Sequence, residues 1–268
     1  MPAATLLFLV PVACLSAFVQ SFSGFGGGLL AIPLYTLVLP PQSAVPINFL
    51  LMFFLYPLLL WETRQHICWK NILPFLLPAA VALPLGAFCL VYLPGKLLRL
   101  FISLSTLLFS FLFFFNVKFP FRDRMAFRVV TGLLSGFLGG SISQSGPPVV
   151  IWGLSCGWGK DRFRSTLLTY FFLLSLTGIF SYLSLGLFSP EILRVVLRAL
   201  FPAILFCLLG LYLKRRTREN VFRHAILMVI ILVSLLNIWS LFSSGKKLRD
   251  STALIDSPLL REPAEKEK

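Results

Sequence analysis

Ser23-Gly24-Phe25-Gly26-Gly27-Gly28-Leu29-Leu30-Ala31-Ile32-Pro33 interrupts a long apolar run with glycine. Gly136-Phe137-Leu138-Gly139-Gly140-Ser141-Ile142-Ser143-Gln144-Ser145-Gly146-Pro147-Pro148 interrupts a second one in a similar way. Both interruptions fall within apolar runs of the length, about 20 residues, that crosses a bilayer. An unpartnered amide at that depth costs several kcal/mol, so irregular backbone persists there only where it is buried in protein or lines a cavity. The two breaks therefore point at once to a fold class and to a candidate site.

The composition agrees. Hydrophobic residues make up 57% of the 268, charged residues 13%, and the mean hydropathy is +0.89. A soluble domain carries about 25% charged residues, so a soluble globule is excluded, and the apolar runs leave no room for a separate soluble domain. A net charge of +14 would suggest nucleic acid in a soluble protein. Here the basic residues sit in short loops between apolar runs, as topology determinants do, and no nucleic-acid partner is expected. Cys14, Cys68, Cys89, Cys156 and Cys207 lie far apart with no Cys-x-x-Cys pair. Neither a thiol relay nor a zinc site is expected from them, and the sequence calls for no cofactor or metal. Residues 1–22 lack a basic n-region and read as a retained first helix rather than a cleaved signal.

Apolar segments run over 4–22, 27–39, 45–61, 71–93 and 97–117, then 127–142, 146–157, 165–187, 192–213 and 222–243. The second of each five is too short to cross comfortably at 1.5 Å per residue. Each is expected as a half-helix, spanning or re-entrant, paired with the broken segment before it. At an offset of 119, Ala13-x-x-x-Ala17 falls on Gly132-x-x-x-Gly136, and Gly27 and Ile32 fall on Gly146 and Ile151. The most basic loops, 118–128, 160–164 and 214–223, belong in the cytoplasm by the positive-inside rule. The pair 127–142 and 146–157 must then return to its side of entry, which turns each half upside-down relative to the other.

The expected fold is an all-α polytopic membrane protein of two inverted repeats. Each repeat has about five helical segments, including a broken or re-entrant pair. Residues 1–121 form the first transmembrane repeat, 122–244 the second, and 245–268 a polar tail expected to be disordered; both chain ends fall outside. Counting each broken pair as one crossing would make the halves parallel and place the loop at 214–223 outside.

Transporters use inverted repeats with broken helices to build a site at the bilayer midplane. A half-helix N-terminus carries about half a positive charge and aims N–H groups at an anion. Gly24, Gly26, Gly27 and Gly28 permit close approach, Pro147-Pro148 suits a first helical turn, and Gln144 and Ser145 precede it as caps or ligands. Asn48 and Thr169 follow the short segments, placed for a cavity or for an interhelical hydrogen bond. The candidate substrate-binding set is Gly24, Gly26, Gly27, Gly28, Asn48, Gln144, Ser145, Gly146 and Pro147. Small residues also let membrane helices pack closely, which is the reading for Ala13-x-x-x-Ala17 and Gly132-x-x-x-Gly136. Glu62, Asp161 and Glu191 are expected in loops, leaving no carboxylate within a span, which argues against a cation carrier or a carboxylate proton relay. Arg128 and Arg164 flank the second broken pair, placed to set topology or to draw in an anion.

These motifs resemble a known family, the TauE/SafE sulfite-exporter permeases. Gly24-Phe25-Gly26-Gly27-Gly28-Leu29-Leu30-Ala31-Ile32-Pro33-Leu34 looks like its glycine-rich signature. Gly139-Gly140-x-x-Ser143-x-Ser145-Gly146-Pro147-Pro148-Val149-Val150-Ile151 is similar to the second-half counterpart, as is Phe163-Arg164-Ser165-Thr166-Leu167 with Tyr170-Phe171. The likeness covers about residues 5–243 and departs where serine replaces glycine at Ser143 and Ser145. It implies export of sulfite, an organosulfonate or a related sulfur-containing anion.

With the broken repeats, this gives a multi-pass permease of the cell membrane, inner or plasma, working by alternating access and not an enzyme. Its partners are a small anion and the lipid bilayer, with a homo-oligomer left open. Two other classes compete. Ser143-Gln144-Ser145-Gly146 bears a loose likeness to the serine motif of intramembrane rhomboid proteases, but such a hydrolase needs a histidine base in the membrane. His66 and His224 lie in or beside basic loops instead. A non-transporting membrane assembly protein is the third reading.

Overall fold

The computed structural model describes residues 3–115, 117, 124–214, 228, 230–232, 234 and 235. Its helices are α1 (Ala3–Ser23), α2 (Gly27–Val38), α3 (Pro41–Thr63), α4 (Trp69–Tyr92), α5 (Gly95–Phe114), α6 (Met125–Ile142), α7 (Gly146–Ser155), α8 (Lys160–Ser184) and α9 (Pro190–Lys214), with a 3-10 turn over Arg64–His66. No strand occurs among the described residues. Among the described residues seven helices are long and apolar enough to cross a membrane: α1, α3 with its 3-10 turn, α4, α5, α6, α8 and α9. The short ones, α2 with 12 residues and α7 with 10, reach only about 18 and 15 Å at 1.5 Å per residue.

Several helices start ahead of their apolar runs, α3 and α8 by a full turn or more and α9 by two residues. Pro40-Pro41 opens α3, since proline fits a first turn where a missing N–H does no harm. Lys160, Asp161 and Arg162 form the first turn of α8. Glu62, Asp161 and Glu191 accordingly stand in helix ends rather than in loops: Glu62 in the last turn of α3, the other two in the first turns of α8 and α9. A carboxylate in a first turn is favoured by the helix dipole. The repeat boundary at 121–122, the tail at 245–268 and most of the segment at 222–243 lie outside the described residues.

The most extensive contacts join α4 to α6 and α1 to α9. The α4–α6 seam is backbone against backbone. A Cβ on Gly132, Gly136 or Gly140 would run into the carbonyl oxygen of Phe75, Ala79 or Leu83, and one on Gly86 into that of Phe137. Small residues at every fourth position allow this approach where lipid supplies no hydrophobic drive for association. On the other seam Ala13 and Ala17 are fully buried and a Cβ on Gly210 would meet the Ser21 hydroxyl. Both Ala13-x-x-x-Ala17 and Gly132-x-x-x-Gly136 thus pack helices.

Between these pairs α3 and α8 run antiparallel. Phe49 meets Tyr182 edge to face with centroids 4.8 Å apart, Phe53 stacks on Phe172 at 6.1 Å and Tyr56 lies tilted against Phe171 at 6.0 Å. Leu73, Leu77, Val81 and Leu85, one turn apart on α4, stay exposed, an outward row suited to lipid.

One end of the bundle gathers the close of α1, α3 and α9 with the start of α8. Arg164 reaches the Ser21 carbonyl (2.6 Å) and Glu62 (3.1 Å), while Lys214 Nζ lies 3.9 Å from Glu62 Oε1. Elsewhere Arg99 donates to the Leu39 carbonyl and Gln42 to that of Leu93, both at 3.3 Å, tying the α2–α3 junction to the α4–α5 junction. The α6–α7 pair begins and finishes beside the start of α4. The Arg128 guanidinium lies 6.0 Å from the Phe75 ring centroid, and the rings of Trp152 and Trp158 stand 5.8 and 6.4 Å from it.

Candidate functional site

The first break turns on Gly24 and Gly26, both left-handed with φ of +84° and +95°, a region glycine enters without steric cost. Gln20 bridges the gap: Nε2 donates to the Gly24 carbonyl at 3.2 Å and Oε1 accepts the Gly27 N–H at 3.0 Å. The Ser16 hydroxyl donates to the Gly27 carbonyl at 2.9 Å. The bond to the Gly27 N–H satisfies one of the donors that a helix start otherwise leaves unpaired.

The second break turns on Ser143, whose φ of +54° is the one positive value at a non-glycine among the described residues. A side chain in that region costs about 1–2 kcal/mol. Around it the Ser135 hydroxyl donates to the Ser145 carbonyl and stands 2.6 Å from the Tyr170 hydroxyl. The Tyr182 hydroxyl donates to the Gly140 carbonyl at 2.8 Å.

The two breaks meet. A Cβ on Gly28 would collide with the Ser143 carbonyl oxygen, so only glycine allows this approach. Asn48 Nδ2 donates to Ser143 Oγ at 2.9 Å. Two cavities of about 30 Å³ each abut at this junction, sharing Gly28, Tyr56, Ser143, Ser145 and Phe171 in their walls. One also takes in Gln20, Gly26, Leu29, Gln144, Gly146 and Pro147. The other takes in Asn48, Phe49, Met52, Gly139, Leu174 and Ser175. No charged side chain lines either cavity among the described residues.

Seven of the nine candidate residues read from the sequence, Gly26, Gly28, Asn48, Gln144, Ser145, Gly146 and Pro147, thus stand in these walls. Gly24 and Gly27 do not: Gly24 packs under Arg164, and Gly27 faces Ser16 and Gln20 on α1. Gln144 turns toward α5, where its Nε2 donates to Thr106 Oγ1 at 2.7 Å and its Oε1 accepts from the Ser105 hydroxyl at 3.3 Å. Neither Gln144 nor Ser145 caps α7, which has no side-chain cap at its start; two hydroxyls on α5 lie within reach of Gln144 instead. The first turn of α7 offers the Gly146 amide alone, because Pro147 and Pro148 have no N–H. The starts of α2 and α7 are therefore unequal as donor sets, and the Ser143 and Ser145 side chains stand beside the poorer one.

Asn48 Oδ1 is buried without a hydrogen-bond partner. Exchanging the two ends of the amide would let the Ser143 hydroxyl donate to the oxygen and leave the NH₂ group as the end without a protein partner. Thr169 is buried but outside both walls. Ser143, Gln20, Tyr56 and Phe171 join the site without having been candidates. Ser143 carried a signal, as a serine standing where a glycine was expected, whereas the aromatics are indistinguishable in sequence from core filling.

Arg164 is only 5% exposed and closes the C-terminus of α1. Its Nη1 donates to the Phe22 carbonyl at 3.1 Å and its Nη2 to the Ser21 carbonyl at 2.6 Å, with Glu62 as counter-ion. A cation at the negative end of a helix is favoured there. His66 sits in the 3-10 turn, where its carbonyl accepts from Ser165 at 2.7 Å, and lines neither cavity. His224 lies outside the described residues.

Among the described residues, half-helices meet inside a bundle of seven helices long and apolar enough to cross a membrane, the architecture of a multi-pass membrane protein. The family model described as Sulfite exporter TauE/SafE matches residues 9–236, and the chain belongs to that family, a family of transporters. No curated protein and no solved structure matches the chain.

Proposed function

We propose that the protein exports sulfite, an organosulfonate or a related sulfur-containing anion across the cell membrane by alternating access, binding it where the two half-helices meet. One observation carries this reading: residues that open α2 (Gly28, Leu29) and α7 (Gly146, Pro147) line the same cavity. The start of α2 brings about half a positive charge and that of α7, with two prolines in its first turn, less, and no carboxylate in that wall opposes them. Backbone amides from α2 and side-chain donors from Asn48, Ser143 and Ser145 would hold the anion's oxygens. The cavities, about 30 Å³ each, have room for a water or two, less than a sulfur oxyanion occupies. Tyr56 and Phe171, shared by both walls, are the side chains that must shift to admit one.

The inverted-repeat reading, with residues 1–121 and 122–244 as the halves, is supported by the pattern of contacts. Under it α1 corresponds to α6 and α9 to α4, so the two most extensive helix pairs exchange with each other. The α6–α7 pair finishing beside its point of entry also favours it. By the positive-inside rule the end bearing Lys160 and Lys214 faces the cytoplasm.

The test is flux through purified protein in liposomes, measured with sulfite, sulfate, an alkyl sulfonate and acetate. Sulfite or the sulfonate is expected to move fastest, and Ser145→Ala to slow the flux without abolishing it. No flux with any of the four would overturn the proposal. Peptide hydrolysis that disappears in Ser145→Ala would replace it with the hydrolase reading.

A further inference from the structure

A third cavity, of about 300 Å³, opens at the end of the bundle where α1, α3 and α9 close. It is roughly ten times the size of either inner one, and its chemistry differs. Among the described residues its wall carries the cations Lys160, Arg164 and Lys214 and the carboxylate of Asp161. Glu62 offsets part of that charge from outside the wall, bonding Arg164 at 3.1 Å and lying 3.9 Å from Lys214. Phe22, Phe25, Trp158 and Phe163 supply apolar faces.

Phe25 lines this chamber, while the next residue, Gly26, lines an inner cavity. The ring of Phe25 leans on Phe113 and Phe163, with centroids 5.3 and 6.3 Å away. The residues on either side of it, Gly24 and Gly26, are the left-handed glycines of the first break. A bulky ring thus sits where the two compartments adjoin, on a backbone whose flanking positions rotate at little cost.

We infer that this chamber is a loading site for an anion, a sulfur oxyanion or sulfonate, and that Phe25 is the plug between it and the inner cavities. The cations attract the charged head, and the aromatic walls suit the apolar body of a sulfonate. The inference rests on the transport reading for its purpose but not for its test.

The test uses full-length protein in detergent, with Ser145→Cys added and the same protein lacking that change as the background for its native cysteines. The rate at which this cysteine reacts is measured with a methanethiosulfonate bearing a sulfonate and with its trimethylammonium counterpart. With Phe25 in place the anionic reagent reacts slowly; Phe25→Ala is expected to speed it about tenfold, and Phe25→Trp not at all. Lys160→Gln combined with Lys214→Gln is expected to remove the preference for the anionic reagent over the cationic one. Phe25→Leu stands in if the alanine variant does not elute as folded protein. An unchanged rate on shortening Phe25, or an unchanged reagent preference in the double variant, overturns the inference. Faster labelling alongside a parent protein, with Ser145 intact, that shows no flux would sink the transport reading and leave chamber and plug standing; normal flux in the parent with unaltered labelling would do the reverse.

Discussion

The Asn48 amide donates to the Ser143 hydroxyl at 2.9 Å, tying the middle of α3 to a helix break 95 residues further along the chain. That hydroxyl belongs to a residue held in the left-handed region, so its removal and the relief of its backbone can be separated. Ser143→Ala keeps the backbone cost and removes the bond, a loss of about 1 kcal/mol. Ser143→Gly removes both, and the relief of about 1 kcal/mol offsets the loss. The glycine variant should melt above the alanine variant in detergent; equal melting temperatures would show that the left-handed turn carries no cost.

Gly28 stands in the first turn of α2 and Gly146 begins α7, yet they face different neighbours. A Cβ at Gly28 meets the Ser143 backbone, which has nowhere to go, whereas one at Gly146 would stand 3.4 Å from the edge of the Phe171 ring. Gly28→Ala should therefore cost about 1–3 kcal/mol and abolish sulfite flux, while Gly146→Ala should keep the melting temperature close to that of the parent. Matching losses in the two variants would contradict the close approach of the breaks.

Arg164 serves two carbonyls and one carboxylate at once. Removing it strands both carbonyls and leaves Glu62 with Lys214 alone, 3.9 Å away, so Arg164→Ala should destabilise by about 3 kcal/mol, as loss of one partner of a buried pair does. Glu62→Gln keeps the capping of α1 and should cost less than half as much. Lysine at 164 should behave more like alanine than like arginine, having no planar fork to reach two carbonyls. Thermal unfolding of the three variants ranks them; an equal effect of Glu62→Gln and Arg164→Ala would make the ion pair the whole contribution.

On the α4–α6 seam, Gly136→Ala presses a methyl group into the Ala79 backbone, whereas the space around Gly159 is open. The first should lower stability by about 1–3 kcal/mol and the second should change it by less than about 0.5 kcal/mol. Monodispersity on size exclusion with a thermal melt distinguishes them.

Much of this architecture is legible in the chain itself because glycine and proline act locally. Residues 27–39 and 146–157 are bounded by them, and the helices found there are Gly27–Val38 and Gly146–Ser155. Orientation within the site is a different matter. Gly27 looks like its neighbours in sequence but turns toward Gln20 on α1, and Gln144 is drawn to Thr106, 38 residues away. Arg164 reads as a loop cation until its partner Ser21, 143 residues distant, is seen to need it. No local pattern encodes such partners, since they follow from which helices become neighbours. Glu62 stands in a helix rather than in the expected loop for a related reason: α3 runs past its apolar stretch to the charged end of the bundle.

The glycines of α6 settle into the main chain of α4 at Phe75, Ala79 and Leu83 like the teeth of a rack. Sliding one against the other by less than a full tooth drives bare carbonyls together with no side chain between them to yield. These two helices are therefore expected to travel as a single rod, and the turns at residues 24–26 and 143–145, where Gly24, Gly26 and Ser143 hold positive φ, are where the chain departs from the helices it would have to carry along.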